Sequence, residues 1–301
     1  MNITIFGKGY IGSALHKKLS TIPDHVVNVY ARSELDYTDV TTIVDYIIKK
    51  APGIIINASG YTGRPNVDAC EDAREDTWYH NVEVPGMLGD ICNKHNVNFI
   101  HVSSGCIYTG YDKNFTEYDQ PNFGLLSSES SWYSKTKHAG ELMLSGTNAH
   151  VFRIRMPFCE TNSPRNVIMK LRKYDNVIDE LNSVTNVEDF CDFVEKYINT
   201  KIQYGHPGAV YNVVNPQPVK TSTITNMLNT YGIGNPRWQT ITLKQLKQNH
   251  IRANRSNCVL STENINKYNL SLPCTELSLD RCIRNMSHEY FTQISRKEQV
   301  H

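Results

Sequence analysis

Five short apolar runs alternate with longer amphipathic stretches through the first half of the chain. The runs are Ile3–Phe6, Val26–Tyr30, Ile54–Asn57, Val97–Val102 and His150–Arg155. They are continuous rather than alternating in polarity, as expected for strands buried on both faces. Between them lie the helix-length segments Ile11–Leu19, Val40–Lys49, Asp76–Lys94 and Trp132–Leu144. This order predicts an α/β fold with a doubly wound, Rossmann-type parallel sheet and helical crossovers. After about Arg155 the pattern loosens, and Pro157, Pro164 and Pro207 punctuate irregular segments. Helices are expected near Val187–Ile198, Thr221–Asn229 and Thr275–His288, and one more strand over Ala209–Val214. The predicted division is a sheet-bearing domain over 1–155 and a smaller lobe over 156–301. The lobe packs on the sheet, and some of its elements cross back.

Composition narrows the function classes. The 301 residues include 31 basic and 30 acidic side chains, a net charge of +1, with no basic tract or acidic tail. Nucleic acid and membrane surfaces are therefore not expected partners. No apolar stretch approaches membrane-spanning length, and because Met1 runs directly into the first strand no signal peptide is expected. The eight cysteines are scattered, and none pair at Cys-x-x-Cys spacing. That argues against disulfides and structural zinc, predicts no metal site, and fits a reducing cytoplasm.

The first strand is followed by Gly7-Lys8-Gly9-Tyr10-Ile11-Gly12. Glycines there let the backbone turn tightly and approach a pyrophosphate, which the helix N-terminus then meets with free N–H groups. Domain 1–155 is thus expected to bind a dinucleotide. The end of the second strand reads Tyr30-Ala31-Arg32-Ser33. Arg32 and Ser33 suit the 2′-phosphate of NADPH, although Glu34 and Asp36 are close. Small residues in Asn57-Ala58-Ser59-Gly60-Tyr61 would let the cofactor cross the sheet edge, with Ala58, Ser59 and Tyr61 beside it.

Ser103-Ser104 ends the fourth apolar run, and Tyr133-Ser134-Lys135-Thr136-Lys137 opens the helix that follows. Tyr133 and Lys137 are four residues apart, one helical turn, so they share a face. A cation beside a phenol favours the phenolate, which predicts a lowered Tyr133 pKa. Ser104 can donate to a carbonyl oxygen, Tyr133 can give it a proton, and Lys137 can tune Tyr133 and grip the nicotinamide ribose. A lone Tyr-x-x-x-Lys is usually a surface pair, and a strand-end serine is usually a cap. Together with the glycine turn, in this order, they form the pattern of a nicotinamide-dependent short-chain dehydrogenase/reductase.

Several blocks then resemble one branch of that superfamily. They are Gly60-Tyr61-Thr62-Gly63-Arg64-Pro65-Asn66-Val67-Asp68-Ala69-Cys70, Ser104-Gly105-Cys106-Ile107-Tyr108, Arg153-Ile154-Arg155-Met156-Pro157 and Ser163-Pro164-Arg165-Asn166. With the Tyr133 block, they resemble the bifunctional UDP-4-keto-6-deoxyglucose 3,5-epimerase/4-reductases, the eukaryotic UDP-rhamnose synthases, over nearly the whole chain. The sequence is also similar to bacterial dTDP-4-dehydrorhamnose reductase and, more distantly, to GDP-fucose synthase.

The resemblance implies NADPH as cofactor and UDP-4-keto-6-deoxyglucose as substrate, supplied by a separate 4,6-dehydratase. It implies UDP-L-rhamnose as product and a substrate-binding role for the lobe over 156–301. Cys106 and Lys170 match the family's epimerase pair. Cys106 lies two residues past Ser104, on the same face in an extended chain, and Lys170 lies one turn past Asn166. Arg64, Asn66, Asn162, Arg165, Asn166 and Arg255 are candidates to hold sugar and diphosphate beside Ser104, and Asn81 matches an active-site asparagine. The family's phosphate loop usually reads Gly-x-x-Gly-x-x-Gly, so the loop here is one residue short, which puts the role of Lys8 in question. The segment between Tyr108 and Tyr133 also departs from the family.

Two other readings stand beside this one. A pure 4-ketoreductase would need no Cys106/Lys170 pair. A non-catalytic NADP-binding regulatory subunit would tolerate a broken Ser/Tyr/Lys set. The sequence does not choose between uridine and deoxythymidine nucleotides, and it admits a homodimer without requiring one.

Overall fold

Six parallel strands form the central sheet: β1 (Asn2–Phe6), β2 (Val26–Tyr30), β3 (Ile54–Asn57), β4 (Asn98–Ser104), β5 (His150–Ile154) and β6 (Val210–Asn212). Their order across the sheet is β2-β1-β3-β4-β5-β6. The computed structural model describes residues 1–202, 208–248 and 251–298; Pro207 falls outside them. The side-chain alternation of each strand divides the core. Ile3, Ile5, Ile54, Ile56, Ile100, Val102, Phe152 and Ile154 face one layer, and Phe6, Ile55, Phe99 and Val151 face the other. Both layers are built of buried apolar side chains, so the apolar runs need no polar face.

The first layer is closed by α1 (Tyr10–Leu19) and the second by α2 (Val40–Lys50) and α3 (Val84–Lys94). A fourth helix, α4 (Trp132–Met143), precedes β5. The second half returns to the sheet. Helix α6 (Val187–Tyr197) buries Phe190, Phe193, Val194 and Tyr197 in the same layer as α1, and β6 pairs with β5. The intervening α5 (Val167–Lys173) belongs to a separate apolar cluster with α7 (Thr221–Thr230) and α8 (Thr275–Glu298). That cluster contains Phe158, Ile168, Leu228, Leu279 and Ile283.

Helix α8 runs to Glu298, beyond the expected His288, and two elements nearer the site also differ from the sequence expectation. Strand β4 runs on to Ser104 because its ladder with β5 continues through Ser103–Arg153 and Ser104–Ile154. Backbone pairing does not stop where the side chains become polar. The segment expected as one helix over Asp76–Lys94 contains a π-helical turn at Tyr79–Glu83. Pro85 explains it, since it has no N–H for the carbonyl of Asn81 four residues earlier. That carbonyl lies against Gly140 of α4, where a Cβ would sit 2.1 Å from the oxygen. Glycine at 140 thus lets α4 lie directly on the π-turn.

Helix α4 is fixed from its other side by a buried ion pair. Arg153 of β5 binds Glu141 of α4 through Nε and Nη2 at 2.7–3.1 Å, and both side chains are 6% exposed. Ser103 donates to Glu141 at 2.5 Å, and Arg153 Nη1 donates to the Tyr108 hydroxyl at 2.9 Å. Every polar group is partnered, which is the condition for such a pair to hold. Glu141→Ala leaves Arg153 charged and unpaired in the core, so it is expected to destabilise the fold by about 3–5 kcal/mol. Urea denaturation of wild type and variant measures this.

Candidate active site

A cleft of about 950 Å³ opens along the carboxyl edge of the sheet. It begins at the switch point between β1 and β3, where open α/β sheets bind ligands. Gly7 sits at φ 97°, donates to Tyr30 O at 2.9 Å, and lies so close to β3 that a Cβ would meet Ser59 N at 2.7 Å. At Gly12 a Cβ would fall 1.9 Å from Gly7 O. Gly9 caps α1 without any side-chain bond, and a Cβ there would meet nothing within 4 Å. The first-turn N–H groups therefore have no intrahelical partner, and Gly9, Tyr10 and Ile11 line the cleft. The cradle fits a dinucleotide pyrophosphate despite the shortened loop. Ala58 and Ser59 continue it at the end of β3.

The residues after β2 stand apart from this lining. Lys8 pairs with Glu34 at 2.9 Å, and Glu34 also accepts from Ala31 N at 2.8 Å. Lys8 and Glu34 are thus paired with each other. Arg32 is exposed, with Nη1 at 2.9 Å from His80 Nε2, and Ser33 is exposed beside it. Burial and the Arg32 cation lower the His80 pKa, so its ring is a neutral acceptor.

Ser104, Tyr133 and Lys137 meet on the cleft wall. The Ser104 hydroxyl accepts from Cys106 N at 3.2 Å, which leaves its own proton free to donate. The serine is thus both cap and donor. Ser131 caps α4 through Ser134 N at 3.2 Å, fixing the first turn, which carries Tyr133. The Tyr133 pKa is raised, contrary to the expectation from its spacing to Lys137. Burial of the phenol is the main cause and the Cys106 thiol adds to it, while a hydrogen bond with Ser104 opposes them. The phenol therefore keeps its proton through the neutral range. Lys137 is 5% exposed, and burial brings its pKa down to about 8. Its ammonium nitrogen lies 3.3 Å from Val102 O and 3.4 Å from His101 Nε2.

Cys106 reaches the cleft by a different route from the one expected. Gly105–Ile107 is a 3-10 turn rather than extended chain, so the thiol is turned in by helical geometry. Arg155 supports it, with Nη1 3.5 Å from Sγ. Arg155 is fully buried and is held by Ser256 Oγ, Ser256 O and Asn182 Oδ1 at 2.5–2.9 Å. Lys170 lines the same cleft from α5. Burial lowers its pKa, the cations of Arg165 and Arg255 lower it further, and Cys106 opposes them. Thiol and amine are thus within each other's field.

The expected sugar and diphosphate ligands divide. Arg64, Asn66, Arg165 and Arg255 line the cleft. Arg165 holds Gly63 O at 2.7 Å, and Arg255 is paired with both oxygens of Asp68 at 2.9 and 3.0 Å. Asn166 is buried and capping α5: its Oδ1 accepts from Ile168 N at 3.0 Å and its amide bonds the carbonyls of Cys159 and Thr161. It positions Lys170 rather than facing the cleft. Asn162 is exposed and outside the lining. Asn81 reaches the cleft but binds Tyr61 N and O, both at 2.8 Å, and Thr136 at 3.1 Å. It ties the Tyr61 loop to α4.

Three residues of this neighbourhood, Arg155, His101 and Glu141, escaped the sequence reading. Arg155 stood in a recognisable block, but buried strand positions carry no periodic signal that would single out a charged side chain. Among the described residues, no group of histidine, cysteine and carboxylate side chains could hold a metal, and no helix is long and apolar enough to cross a membrane. All eight cysteines are free thiols.

The sheet order, the glycine turn and the cleft at the carboxyl edge define a Rossmann-type α/β protein. The family model described as RmlD substrate binding domain matches residues 1–288, and the chain belongs to that family. A bifunctional dTDP-4-dehydrorhamnose 3,5-epimerase/dTDP-4-dehydrorhamnose reductase of Arabidopsis thaliana is 33% identical over 255 residues, 81% of this chain and 80% of that protein. The L780 UDP-rhamnose synthase of Acanthamoeba polyphaga mimivirus shares the fold with a TM-score of 0.83 at 24% identity, over 95% of this chain and 99% of that one. A dTDP-4-dehydrorhamnose reductase from Bacillus anthracis, solved with NADP, superposes with a TM-score of 0.79 at 17% identity, over 93% and 98%.

The lowered Lys137 pKa carries a stability cost. Between about pH 8 and the ordinary lysine range, the unfolded chain binds the proton that the folded chain has lost, so stability rises with pH in that window. Below pH 8 the buried ammonium opposes folding in full. Lys137→Met is therefore expected to stabilise the protein at pH 7, by on the order of 2–3 kcal/mol. The gain should shrink above pH 8 and vanish near pH 10–11, as denaturation at several pH values would record.

Proposed function

We propose that this protein converts UDP-4-keto-6-deoxy-D-glucose to UDP-L-rhamnose by 3,5-epimerisation followed by NADPH-dependent reduction of the C4 ketone. The observation that carries the reading is one cleft lined by two proton-transfer sets: Ser104, Tyr133 and Lys137, and Cys106 with Lys170. The bifunctional Arabidopsis relative supports the pairing of activities. A trifunctional Arabidopsis relative named for UDP sugars, 30% identical over 89% of this chain, supports the uridine nucleotide. A 4,6-dehydratase acting upstream would supply the ketone.

The C4 ketone acidifies the protons on C3 and C5. Cys106 and Lys170 would take and return those protons on opposite faces of the ring. The lowered pKa of Lys170 brings its amine toward the range where it can do either near neutrality. NADPH, held by the glycine turn, Ala58 and Ser59, would supply hydride to C4. Ser104 would polarise O4, and Tyr133, protonated through the neutral range, would deliver the proton that completes the alcohol. Arg64 and Arg165 would face the diphosphate with forked donors. Arg255, already neutralised by Asp68, would shape the wall instead.

Tyr133→Phe is expected to lower NADPH oxidation by about 10²–10⁴-fold with cofactor binding retained. Cys106→Ala and Lys170→Ala should stop deuterium wash-in from D₂O at C3 or C5. Both variants should still reduce ketone supplied with an independent 3,5-epimerase. NADPH consumption with and without that enzyme decides it: rescue supports two separable activities, and failure to rescue assigns the two residues to the reductive step or to structure.

NADPH is expected to be preferred over NADH by roughly 10–100-fold, through charge-assisted bonds from Arg32 to the 2′-phosphate. Arg32→Ala should narrow the ratio of kcat/KM values for the two cofactors. An unchanged ratio would remove Arg32 from that role.

A further inference from the structure

His101 stands on β4 three residues before Ser104 and is fully buried. None of the chemistry above uses it, yet both ring nitrogens are engaged. Nδ1 faces Asn57 Nδ2 at 3.2 Å, and Nε2 faces Lys137 Nζ at 3.4 Å. The direction of these bonds is fixed from the far end. The Ser59 backbone N–H donates to Asn57 Oδ1 at 3.0 Å, and the Ser59 hydroxyl donates to the same oxygen at 2.6 Å. A backbone N–H is only a donor, so the Asn57 atom it meets is the carbonyl oxygen. The Asn57 NH₂ is then the group facing His101, and Nδ1 must accept. A neutral imidazole accepting at Nδ1 carries its proton on Nε2, and that proton points at Lys137. An ammonium has three donors and no lone pair, so it cannot accept this bond. A neutral amine can, and it still donates to Val102 O at 3.3 Å. An imidazolium is excluded in the same way, because Nδ1–H would face the Asn57 NH₂.

We propose that His101 is a positioning residue that donates from Nε2–H to the neutral Lys137 amine and so makes its ammonium easier to deprotonate in the ligand-free cleft, with Ser59 and Asn57 setting the direction of the bond. The inference rests on the reading of Lys137 as part of the reductive site. The other titratable groups acting on Lys137 are Glu141 from its own helix and Cys106 from the turn after β4, and both favour the ammonium. Burial and the His101 donor act against them. On His101 itself, burial and the Lys137 charge both disfavour the imidazolium. Ser59 also lines the cleft, so the chain Ser59–Asn57–His101–Lys137 links the cofactor edge of β3 to the catalytic wall. Turning the Asn57 amide over would make Nε2 an acceptor for the ammonium, but it would set the Asn57 NH₂ against the Ser59 N–H, which can only donate.

The test uses the ligand-free full-length protein and reads protons rather than turnover. Side-chain ¹⁵N spectra of histidine at about pH 9, above the Lys137 midpoint, should show His101 protonated on Nε2 and bare on Nδ1. A proton on Nδ1, alone or in an imidazolium, would overturn the proposal without any variant. In protein labelled with [ε-¹³C]lysine, Lys137 is assigned by the signal lost in Lys137→Met. Its titration midpoint should rise by about one pH unit or more in His101→Phe, which removes the donor. Asn57→Asp should do the same, because a carboxylate accepts from Nδ1–H and reverses the tautomer. His101→Gln, which can accept from Asn57 and donate to Lys137, should keep the wild-type midpoint. A midpoint that stays or falls in His101→Phe or Asn57→Asp, or that rises in His101→Gln, refutes the role. Because no substrate or cofactor is present, these readings stand apart from the proposed reaction, which the assays with the sugar ketone judge separately.

Discussion

The buried Glu141–Arg153 pair is the constraint on which the site depends. Helix α4 carries Tyr133 and Lys137, and its distance from the sheet decides whether they reach the cleft. Glu141, one turn beyond Lys137, is bound to β5 through Arg153 and to β4 through Ser103. A second face of the helix rests on the π-turn, where Gly140 permits contact with the Asn81 backbone. Held from two sides, the helix has little freedom to slide, and the phenol and amine stay opposite Ser104. The hydrophobic drive behind apolar packing is non-directional, whereas a charge-assisted, bidentate pair fixes the mutual orientation of its partners.

The same region concentrates polar groups that folding would expel from an apolar core. Lys137, His101 and Arg155 are each nearly or fully buried, and each is neutralised or bonded rather than left bare. His101 is kept neutral by burial. Arg155 binds Ser256 and Asn182 and spreads its charge over the Cys106 thiol. Low local dielectric strengthens each of these bonds and raises the cost of losing a partner. These buried polar groups cluster where the proposed reaction would move a proton.

The second half of the chain serves the cleft in two ways. Helix α6 and strand β6 complete the sheet sandwich, so the supporting layer is not confined to the first 155 residues. Helix α5, capped by the buried Asn166, brings Lys170 across from the separate apolar cluster. The cleft therefore has one wall built on strand ends and one built on a helix, and the expected proton-transfer groups stand on both.

Much of the fold was legible because continuous apolar runs and helical spacings are local properties. Strands β1 to β5 and helices α1, α2 and α4 fall within a few residues of their expected positions, and the glycine turn marked the cofactor edge. Local pattern could not show that Pro85 opens a π-turn behind Asn81, since the effect depends on a carbonyl one turn earlier. It could not separate Asn166, which caps a helix, from Arg165, which faces the cleft, because neighbours in sequence diverge where a helix begins. It also predicted the wrong direction for Tyr133: spacing put a lysine on the same helix face, but burial, which only the packed structure sets, raises the pKa. The sequence by itself determined the order of elements and the kinds of side chain available for chemistry. Tertiary structure decided which of them share a cleft, which are used up as caps and ion pairs, and what proton each one holds. Those properties arise from desolvation and from partners distant in the chain, such as Glu141 with Arg153 and His101 with Asn57.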